Sequence, residues 1–507
     1  MPPPKRAIPR EVSLDSGFDS RVVAHESVLV RYHLRWVWFA LSLTAACGGT
    51  VVPTPAAKLE PLAVHADAAW VRDTAGRVVL LRGANYSGLE FGNFIGHAHG
   101  PRESNFAQMA SWGFNVVRVP IAWNYIEPAM NQFSDRYLIE QVDPVVDFAA
   151  RHGIVVILEM HQFEWSACFT NGNGAPAWVC DGHGYADDQS GQLQAGCDFF
   201  QGGLAPDGRP LIQHFVDTWR VVAHHYAGDA RIAGFDFFNE PIAYTCLAIG
   251  VFETRVLNPF YRQLRAAVAA AGAEQTFFFC PSITRNVSVP TVLEPMGPNV
   301  VYAPHLYTET GGAADRKYDG NANRVRADYG LAVREASTLG GPLVVGEFGG
   351  NTDVEGGFRS ATEQFLRDSL AEQAARLVGG AVWAYFPSDN TFSIVDAEGN
   401  EKGELVDILA RPFARRVAGI PTATHFDLDT KEFTLSFHND DEQQPPDPSE
   451  IFVPSRHYPM GFQVDLSPGD RWEYDRDGQR LFLFRGPSAE HTLRIVPPPA
   501  PPTVAPG

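Results

Sequence analysis

The sequence is short of basic residues. It holds 40 lysines and arginines against 59 aspartates and glutamates, which gives a formal net charge of −19. Because nucleic-acid binding needs a basic face toward the phosphates, this balance argues against a nucleic-acid partner. It also disfavours simple electrostatic attachment to an anionic membrane.

Several catalytic signatures are missing as well. None of the six cysteines forms a Cys-x-x-Cys pair, which argues against a zinc site. There is neither a metal-ligand cluster nor a G-x-S-x-G nucleophile elbow, so the usual metal-dependent and serine hydrolases are disfavoured. The turn "RGANYSG" is not the G-x-G-x-x-G that an open, doubly wound α/β sheet usually carries after its first strand.

The apolar run "WVWFALSLTAAC" near the N-terminus is too short to span a bilayer as a finished helix. Arg31 and Arg35 precede it and small residues follow, as in an export signal. Its ending resembles a bacterial lipobox, which would make Cys47 a lipid-modified first residue of the mature chain. An ordinary secretory signal cleaved nearby is the alternative, and both predict an exported protein.

The five cysteines beyond Cys47 predict one or two disulfides, since export leads to an oxidising compartment. Cys168, Cys180 and Cys197 lie in one loop-rich stretch, and Cys246 follows later. The connectivity of these four is left open by the sequence. Cys280 ends the strand-like run "TFFFC" and is expected to be a buried free thiol.

Between residues 62 and 415, short apolar runs alternate with segments of helical periodicity, which indicates β/α units around a parallel sheet. The runs predicted as strands are 78–83, 115–120, 153–161, 232–240, 275–282, 299–305, 342–348 and 379–386. About eight such units predict a (β/α)₈ TIM barrel, with an open doubly wound sheet as the main competitor.

The pattern changes after residue 415 to strict alternation of apolar and polar residues with turn dipeptides such as Asp477-Gly478, which predicts a small antiparallel β-sandwich. The fold class is therefore α/β, a TIM barrel followed by that sandwich. The predicted segments are an N-terminal extension with its signal (1–47), a Pro/Gly/Ala linker (48–61), the barrel (62–415), the sandwich (416–497) and a proline-rich tail (498–507).

Polar or large aromatic residues interrupt the apolar runs in or just beyond six of the predicted strands. In a parallel barrel the strand ends meet at one mouth, where catalysis takes place. Any one of these residues has a structural explanation, but six strands with the same feature favour an active site. The residues are Arg118, His161, Asn239 with Glu240, His305 with Tyr307, Glu347, and Trp383.

Two of these residues are carboxylates, Glu240 after the fourth predicted strand and Glu347 in the seventh. Two carboxylates flanking a substrate are what glycosidic bond cleavage requires, one to protonate the leaving oxygen and one to act at the anomeric carbon. Trp123, Trp165, Trp178 and Trp383 lie in or beside strand-end loops, where aromatic faces suit sugar rings.

The same residues resemble glycoside hydrolase family 5, with Glu240 in "NEP" and Glu347 in "GEFG" in the family's order. Within the family the chain looks most like the endoglycoceramidase branch. The stretches that suggest it are "MHQ" with "NGNGAPAW", "RPFARRVAGIPT" and "IFVPSRHYPMGF", the last two extending into the β-domain. The loop after "RGANYSG" and the segment "FEWSACF" differ from that branch, so the glycan and aglycone are left open.

The resemblance implies a retaining mechanism in which Glu347 is the nucleophile and Glu240 is first acid and then base. Arg118 and Tyr307 would keep Glu347 ionised, and the charge of Glu347 would raise the pKa of Glu240. Retention implies about 5–5.5 Å between the carboxyl groups.

The resemblance further implies that Asn239 binds the sugar 2-OH and that Trp383 lies under the reacting sugar. His161 and His305 would bind hydroxyls or orient the carboxylates, and Trp178 is a further substrate-binding candidate. No cofactor is implied.

Three functions stay open from the sequence. The favoured one is a β-glycosidase acting on glycolipids such as glycosylceramides. The second is an endo-β-glucanase or mannanase acting on polysaccharide, although no separate binding module on a linker is present. The third is a non-catalytic carbohydrate-binding lipoprotein, which ought to have lost one carboxylate. We expect a monomer with a glycan or glycolipid substrate, no nucleic acid, and membrane association only through an anchor at Cys47.

Overall fold

The computed structural model describes residues 63–92, 100–243, 245–308, 315–388 and 391–499. The predicted signal, the linker and most of the proline-rich tail lie outside these residues. In the described part of the chain, no helix combines the length and the apolar character needed to cross a bilayer.

The described chain begins with three short antiparallel strands, β1 (Val64–Ala66), β2 (Val71–Asp73) and β3 (Val78–Val79). Eight parallel strands follow in the spatial order β10-β11-β4-β5-β6-β7-β8-β9. They are β4 (Arg82–Tyr86), β5 (Val116–Ile121), β6 (Val155–Met160), β7 (Ile232–Asp236), β8 (Thr276–Phe279), β9 (Val300–Tyr302), β10 (Val344–Gly349) and β11 (Gly379–Tyr385).

Parallel bridges from Tyr302 to Leu343 and from His305 to Glu347 join β9 to β10 and close the sheet. The prediction of a (β/α)₈ barrel is therefore confirmed. The barrel strands are buried on both faces, which explains their nearly continuous runs of valine, isoleucine and phenylalanine.

The α-helices cover the barrel and carry its connections. They are α1 (Glu103–Ser111), α2 (Trp123–Ile126), α3 (Asp143–Arg151), α4 (Gln189–Phe200), α5 (Leu211–His225), α6 (Ile249–Phe252), α7 (Asn258–Ala270), α8 (Ala322–Leu339), α9 (Phe358–Arg376) and α10 (Gly403–Leu409). Single π-helical turns precede α3 and α7. Between β8 and β9 the described chain makes a 3₁₀ turn, Ile283–Val287, in place of an α-helix.

The first predicted strand, 78–83, is divided between two sheets. Val78 and Val79 pair with β12 (Phe413–Val417), whereas the first barrel strand begins at Arg82. Gly83 permits the close approach of the barrel strands here, because a Cβ at this position would lie 1.7 Å from the Val116 carbonyl oxygen. A continuous apolar run does not show where one sheet ends and the next begins.

The C-terminal region forms two antiparallel sheets, which confirms the predicted β-sandwich class. Its strands are β12, β13 (Ile420–Phe426), β14 (Phe433–His438), β15 (Ser449–Phe452), β16 (Gln463–Leu466), β17 (Arg471–Asp475), β18 (Arg480–Phe484) and β19 (Glu490–Val496). One sheet has the order β13-β14-β19-β16, and the other has the order β1-β2-β3-β12-β15-β18-β17. The N-terminal strands thus complete the second sheet, which the sequence did not predict; the domain boundaries themselves stay predictions.

Buried charges fasten the sandwich to the bottom of the barrel. Arg415 donates from Nη1 to the Gly113 carbonyl at 2.8 Å and pairs through Nε with Glu450 at 2.9 Å. Gly113 ends the first helical connection, so this contact ties the sandwich to the barrel face opposite the mouth. The disulfide Cys168–Cys180 closes a loop within the connection after β6, and Cys197–Cys246 joins α4 of that connection to the loop after β7. Cys280 is free and buried, as predicted.

Candidate active site

Glu240 and Glu347 lie close together at the carboxyl end of the barrel. Glu347 is within β10, and Glu240 follows β7 with a φ of 43°, a left-handed conformation uncommon for a residue other than glycine. One carboxylate oxygen of each lies within 4.8 Å of the other and of the His305 imidazole. Such backbone strain is concentrated at functional sites, where it fixes the direction of a side chain.

Two donors hold the Glu347 carboxylate. Nη1 of Arg118 donates to one oxygen at 2.7 Å, and the Tyr307 hydroxyl donates to the other at 2.7 Å. All three side chains are buried. These two contacts fix the orientation of the Glu347 carboxylate.

Arg118 lies at the centre of a buried charge network inside the barrel. Besides Glu347 it pairs with Asp236 at 2.9 Å and Glu159 at 3.5 Å, and it donates to the Asn85 amide oxygen at 2.9 Å. Burial would lower the pKa of Arg118, but the surrounding carboxylates outweigh it and raise the pKa above the ordinary value. Burial also raises the pKa of Asp236, to about 6. The cation therefore stays charged and fixed beneath Glu347.

His305 lies between the two glutamates. Its Nδ1 is 2.8 Å from Glu240 Oε1 and 3.4 Å from Glu347 Oε2. Burial opposes the imidazolium form, but Glu347 and the other acidic neighbours raise the pKa of His305 well above its usual value. This direction favours the charged form of His305, in which Nδ1 donates to Glu240.

The predicted pKa shift of Glu240 is wrong in direction. Burial does raise the pKa of this carboxyl, but the hydrogen bonds from His305 and Asn286 outweigh it, so the pKa is lowered. Asn286 Nδ2 donates to the same oxygen as His305, at 2.6 Å. Reasoning from the neighbouring charge of Glu347 alone omitted both donors.

The other predicted strand-end residues join the same network. Asn239 accepts from Arg118 at 3.2 Å and donates to the Gln162 carbonyl at 3.2 Å. His161 bonds Glu159 at 3.0 Å and stacks on Trp383, with ring centroids 5.6 Å apart and an 8° interplanar angle. Burial would lower the pKa of His161, but Glu159 raises it to about 9.

Trp178 lies elsewhere. Its half-buried ring packs edge-on against Trp123 at 5.7 Å, and its Nε1 donates to the Glu127 carbonyl at 3.1 Å. Its nearest aromatic partners, the His214 imidazole at 5.1 Å and the Trp123 ring, lie on α5 and α2 rather than in the network around the glutamates. Its binding of substrate stays a prediction, as do the individual roles of the other site residues.

Several residues of the network were missed by sequence reasoning. Glu159 and Asp236 interrupt apolar strands in the same way as Arg118, and Glu159 lies two positions before His161, on the same face of its strand. That alternation was a usable signal. Asn286 carries no such signal in the sequence, because it lies in the turn after β8 and only the fold brings that turn close to Glu240.

The Asn286 turn is anchored by its neighbour Arg285. Arg285 is buried and pairs with Asp328 at 2.5 Å and Glu335 at 2.8 Å. Tyr302 also donates to Glu335, at 2.9 Å. These contacts fix the backbone of the turn against α8 and so fix the amide of Asn286 on Glu240.

Glu240, His305 and Glu347 also place one ligand atom each close enough together for a divalent cation. Two of these atoms, His305 Nδ1 and Glu240 Oε1, are 2.8 Å apart and form a hydrogen bond. The arrangement is that of an acid, a base and a proton carrier, and these suffice for acid–base chemistry at an anomeric carbon.

Two protein-family models match this chain, one over the barrel and one over the C-terminal sheets. The model of the cellulase family, glycosyl hydrolase family 5, matches residues 73–386. The model of the family 5 C-terminal domain matches residues 411–496.

Three individual relatives share a quarter or less of their aligned residues with this chain. Endoglycoceramidase I of Rhodococcus hoagii (strain 103S) is 25% identical over 442 residues, covering 80% of this chain and 82% of that protein. The manganese dependent endoglucanase Eg5A of Phanerodontia chrysosporium is 22% identical over 66% of this chain and 80% of its own length. Among solved structures, the lactosyl-enzyme intermediate of endo-glycoceramidase II from Rhodococcus sp. superposes with a TM-score of 0.72 at 25% identity, over 85% of this chain and 100% of that one.

Proposed function

Since the chain belongs to glycoside hydrolase family 5, we propose that it is a retaining β-glycosidase that cleaves glycolipids between the glycan and the lipid. The observation that carries the proposal is the pair Glu240 and Glu347, with carboxylate oxygens within 4.8 Å and His305 between them. Carboxyl groups about 5–5.5 Å apart suit double displacement, whereas inverting enzymes leave room for a water molecule at about 6.5–9.5 Å.

In the first step Glu347 attacks the anomeric carbon. Arg118 and Tyr307 hold its two oxygens, so the nucleophile is oriented before the substrate arrives. The glycosidic oxygen takes a proton from Glu240 as the bond breaks, and a glycosyl ester forms on Glu347. A solved structure of the homologous endo-glycoceramidase II is that of its lactosyl-enzyme intermediate, which supports a covalent step of this kind.

The proton for the leaving group is shared by Glu240 and His305. In the resting site the proton is on His305, because the pKa of Glu240 is lowered and that of His305 is raised. It reaches Glu240 across the 2.8 Å hydrogen bond when the glycosidic oxygen arrives. The two groups titrate as one unit, so the pair rather than either residue sets the pH at which the acid is lost.

In the second step a water molecule hydrolyses the ester, with Glu240 as the base. Esterification removes the negative charge of Glu347, and because His305 has already given up its proton, Asn286 is the donor that keeps Glu240 ionised for this role. The proton that Glu240 takes from the water then returns to His305 across their 2.8 Å hydrogen bond. Asn239 lies at the same mouth, where we assign it to the sugar 2-OH. Trp383, stacked on His161, is assigned to the face of the reacting sugar.

The glycolipid substrate is supported by the relatives. The likeness to endoglycoceramidase I extends over 82% of that protein, and residues 411–496 of this chain also match the family 5 C-terminal domain. The endoglucanase relative favours a polysaccharide substrate, but it is less similar, at 22% identity.

The test compares hydrolysis of a glycosylceramide in detergent micelles with hydrolysis of soluble β-glucan. Release of intact glycan and ceramide is expected, with the β-configuration retained in the first product. Cleavage of glucan alone would refute the glycolipid assignment. An inverted first product would refute the double displacement.

For localisation, we propose export and acylation at Cys47, which lies outside the described residues. The support is the apolar run with Arg31 and Arg35 before it and small residues leading into the cysteine. A labelled fatty acid should be incorporated into the wild-type chain and not into the Cys47→Ser variant. Secretion of both without label would favour an ordinary signal. We also propose that the enzyme acts as a monomer.

A further inference from the structure

Exposed apolar side chains are unevenly distributed over the described residues. Eight of the ten large ones lie in the connections between barrel strands, and only Met460 and Trp472 lie in the sandwich. The eight are Phe91, Ile139, Phe163, Leu204, Val251, Val287, Val292 and Val354. Scattered single apolar residues are normal on a protein surface, but their concentration at one end marks an interaction surface.

The topology brings these residues together. Phe91, Phe163, Val251 and Val354 lie in connections that leave the carboxyl ends of β4, β6, β7 and β10. Val287 and Val292 follow β8, whereas Ile139 and Leu204 precede helices that run back from the mouth. All parallel strands of a barrel end on one side, so these residues surround the mouth. We call the eight the apolar rim.

The rim adjoins the catalytic groups. Phe163, 57% exposed, follows Gln162, which donates to the Glu240 carbonyl at 3.2 Å. Val287, 55% exposed, follows Asn286, which donates to the Glu240 carboxylate. On the opposite side, Phe91 stacks on Phe386 at the end of β11, with centroids 6.2 Å apart.

We propose that the apolar rim docks the barrel mouth onto an uncharged or zwitterionic lipid surface that holds the substrate. The inference rests on the proposed function, because a glycolipid keeps its aglycone in a lipid phase and presents the glycosidic bond at the surface of that phase. The catalytic carboxylates lie at the centre of the mouth and the apolar rim surrounds them. The rim can therefore insert into the lipid interface while the carboxylates reach the glycosidic bond. Burial of the rim supplies the driving force.

The charge of the chain decides which lipid surface is suitable. A formal net charge of −19 repels anionic lipids, so the electrostatic term that strengthens many peripheral proteins is absent. Docking on a neutral surface has to come from apolar area alone. The affinity should therefore be almost independent of salt, unlike binding through basic residues.

The test uses the Cys47→Ser chain throughout, so that no acyl group contributes. The rim variant L204S/V251S/V354S is compared with M460S/W472S, which removes the two exposed apolar side chains of the sandwich. Three quantities are measured: flotation with phosphatidylcholine vesicles that hold no glycolipid, kcat/KM on glucosylceramide in the same vesicles, and kcat/KM on a soluble aryl β-glucoside.

We expect the parent chain and M460S/W472S to float with the vesicles at low and high salt. The rim variant should lose at least about tenfold in vesicle partitioning and a similar factor on vesicle-borne substrate. Its rate on the aryl glucoside should be unchanged, since the substituted side chains touch neither glutamate.

Absence of flotation by the parent chain, or equal partitioning of parent and rim variant, overturns the proposal. So does binding only to anionic vesicles with loss in salt. A parent chain that is dimeric in solution, does not float and becomes monomeric in the rim variant would assign the rim to a second copy of the chain. If micellar glycolipid is not cleaved, the proposed function fails, and flotation alone then decides the docking.

Discussion

The Nδ1 atom of His305 lies 2.8 Å from the Oε1 atom of Glu240 and 3.4 Å from the Oε2 atom of Glu347. One imidazole thus contacts both carboxylates of the site. The distance to Glu240 is the shorter of the two, so His305 makes its hydrogen bond to the proposed acid rather than to the proposed nucleophile. Glu347 is held instead by Arg118 and Tyr307.

Replacing His305 with asparagine should move the basic limb of the kcat/KM profile to lower pH. In the wild type the raised pKa of His305 keeps one proton in the pair at pH values where an isolated carboxyl group has lost it. Without the imidazole the proton depends on Glu240 alone, and we expect a shift of about one pH unit or more. The measurement is kcat/KM against pH with an unactivated glycoside.

The leaving group provides the control for this variant. An aryl glycoside with a good leaving group does not need the acid, so His305→Asn should lose much less activity on it. An unshifted basic limb with the unactivated substrate would contradict a shared proton. Equal loss on both substrates would instead indicate a damaged nucleophile.

The roles of the two glutamates can be separated with azide. Glu347→Gly should lose about 10⁴-fold or more in kcat and should yield an α-glycosyl azide from an activated β-glycosyl fluoride or aryl glycoside. Glu240→Ala should still form the glycosyl enzyme from an activated substrate and should yield a β-glycosyl azide. The product configuration is read by nuclear magnetic resonance, and the opposite pattern would exchange the two assignments.

Asn286→Ala should raise the pKa of Glu240, because it removes a 2.6 Å donor to the carboxylate. Deglycosylation needs Glu240 as an ionised base, so its acidic limb should move to higher pH. With an activated aryl glycoside deglycosylation limits kcat, and the shift is read there. Thr284→Ala is the matched control in the same 3₁₀ turn; a like shift in both variants would mean that the turn has moved and not that the donor is missing.

The barrel, the sandwich and the residues that meet at the mouth could be predicted because they leave a periodic signal. Strand ends in a parallel barrel converge, so Arg118, Glu240, His305 and Glu347 could be placed together from chain order alone. The free, buried state of Cys280 followed in the same way from its apolar run.

What could not be predicted depends on contacts between distant segments. Val78 and Val79 look like part of a barrel strand, yet they pair with β12 far along the chain. The lowered pKa of Glu240 follows from Asn286, which no motif marks. Local sequence patterns indicate the period of a helix or strand and which of its faces is buried. Hydrogen bonds across the barrel mouth depend instead on how the loops are folded.

Arg285→Met should show that a buried ion pair holds the catalytic turn. The change leaves Asp328 and Glu335 buried without their cation, and breaking such a pair costs about 3–5 kcal/mol of unfolding free energy. Arg262→Met is the matched control, because its pair with Glu294 is half exposed and exposed pairs contribute about 0–1 kcal/mol. Both are measured by denaturant unfolding. If the turn positions Asn286, folded Arg285→Met enzyme should also show the acidic-limb shift of Asn286→Ala, and a wild-type profile would separate stability from positioning.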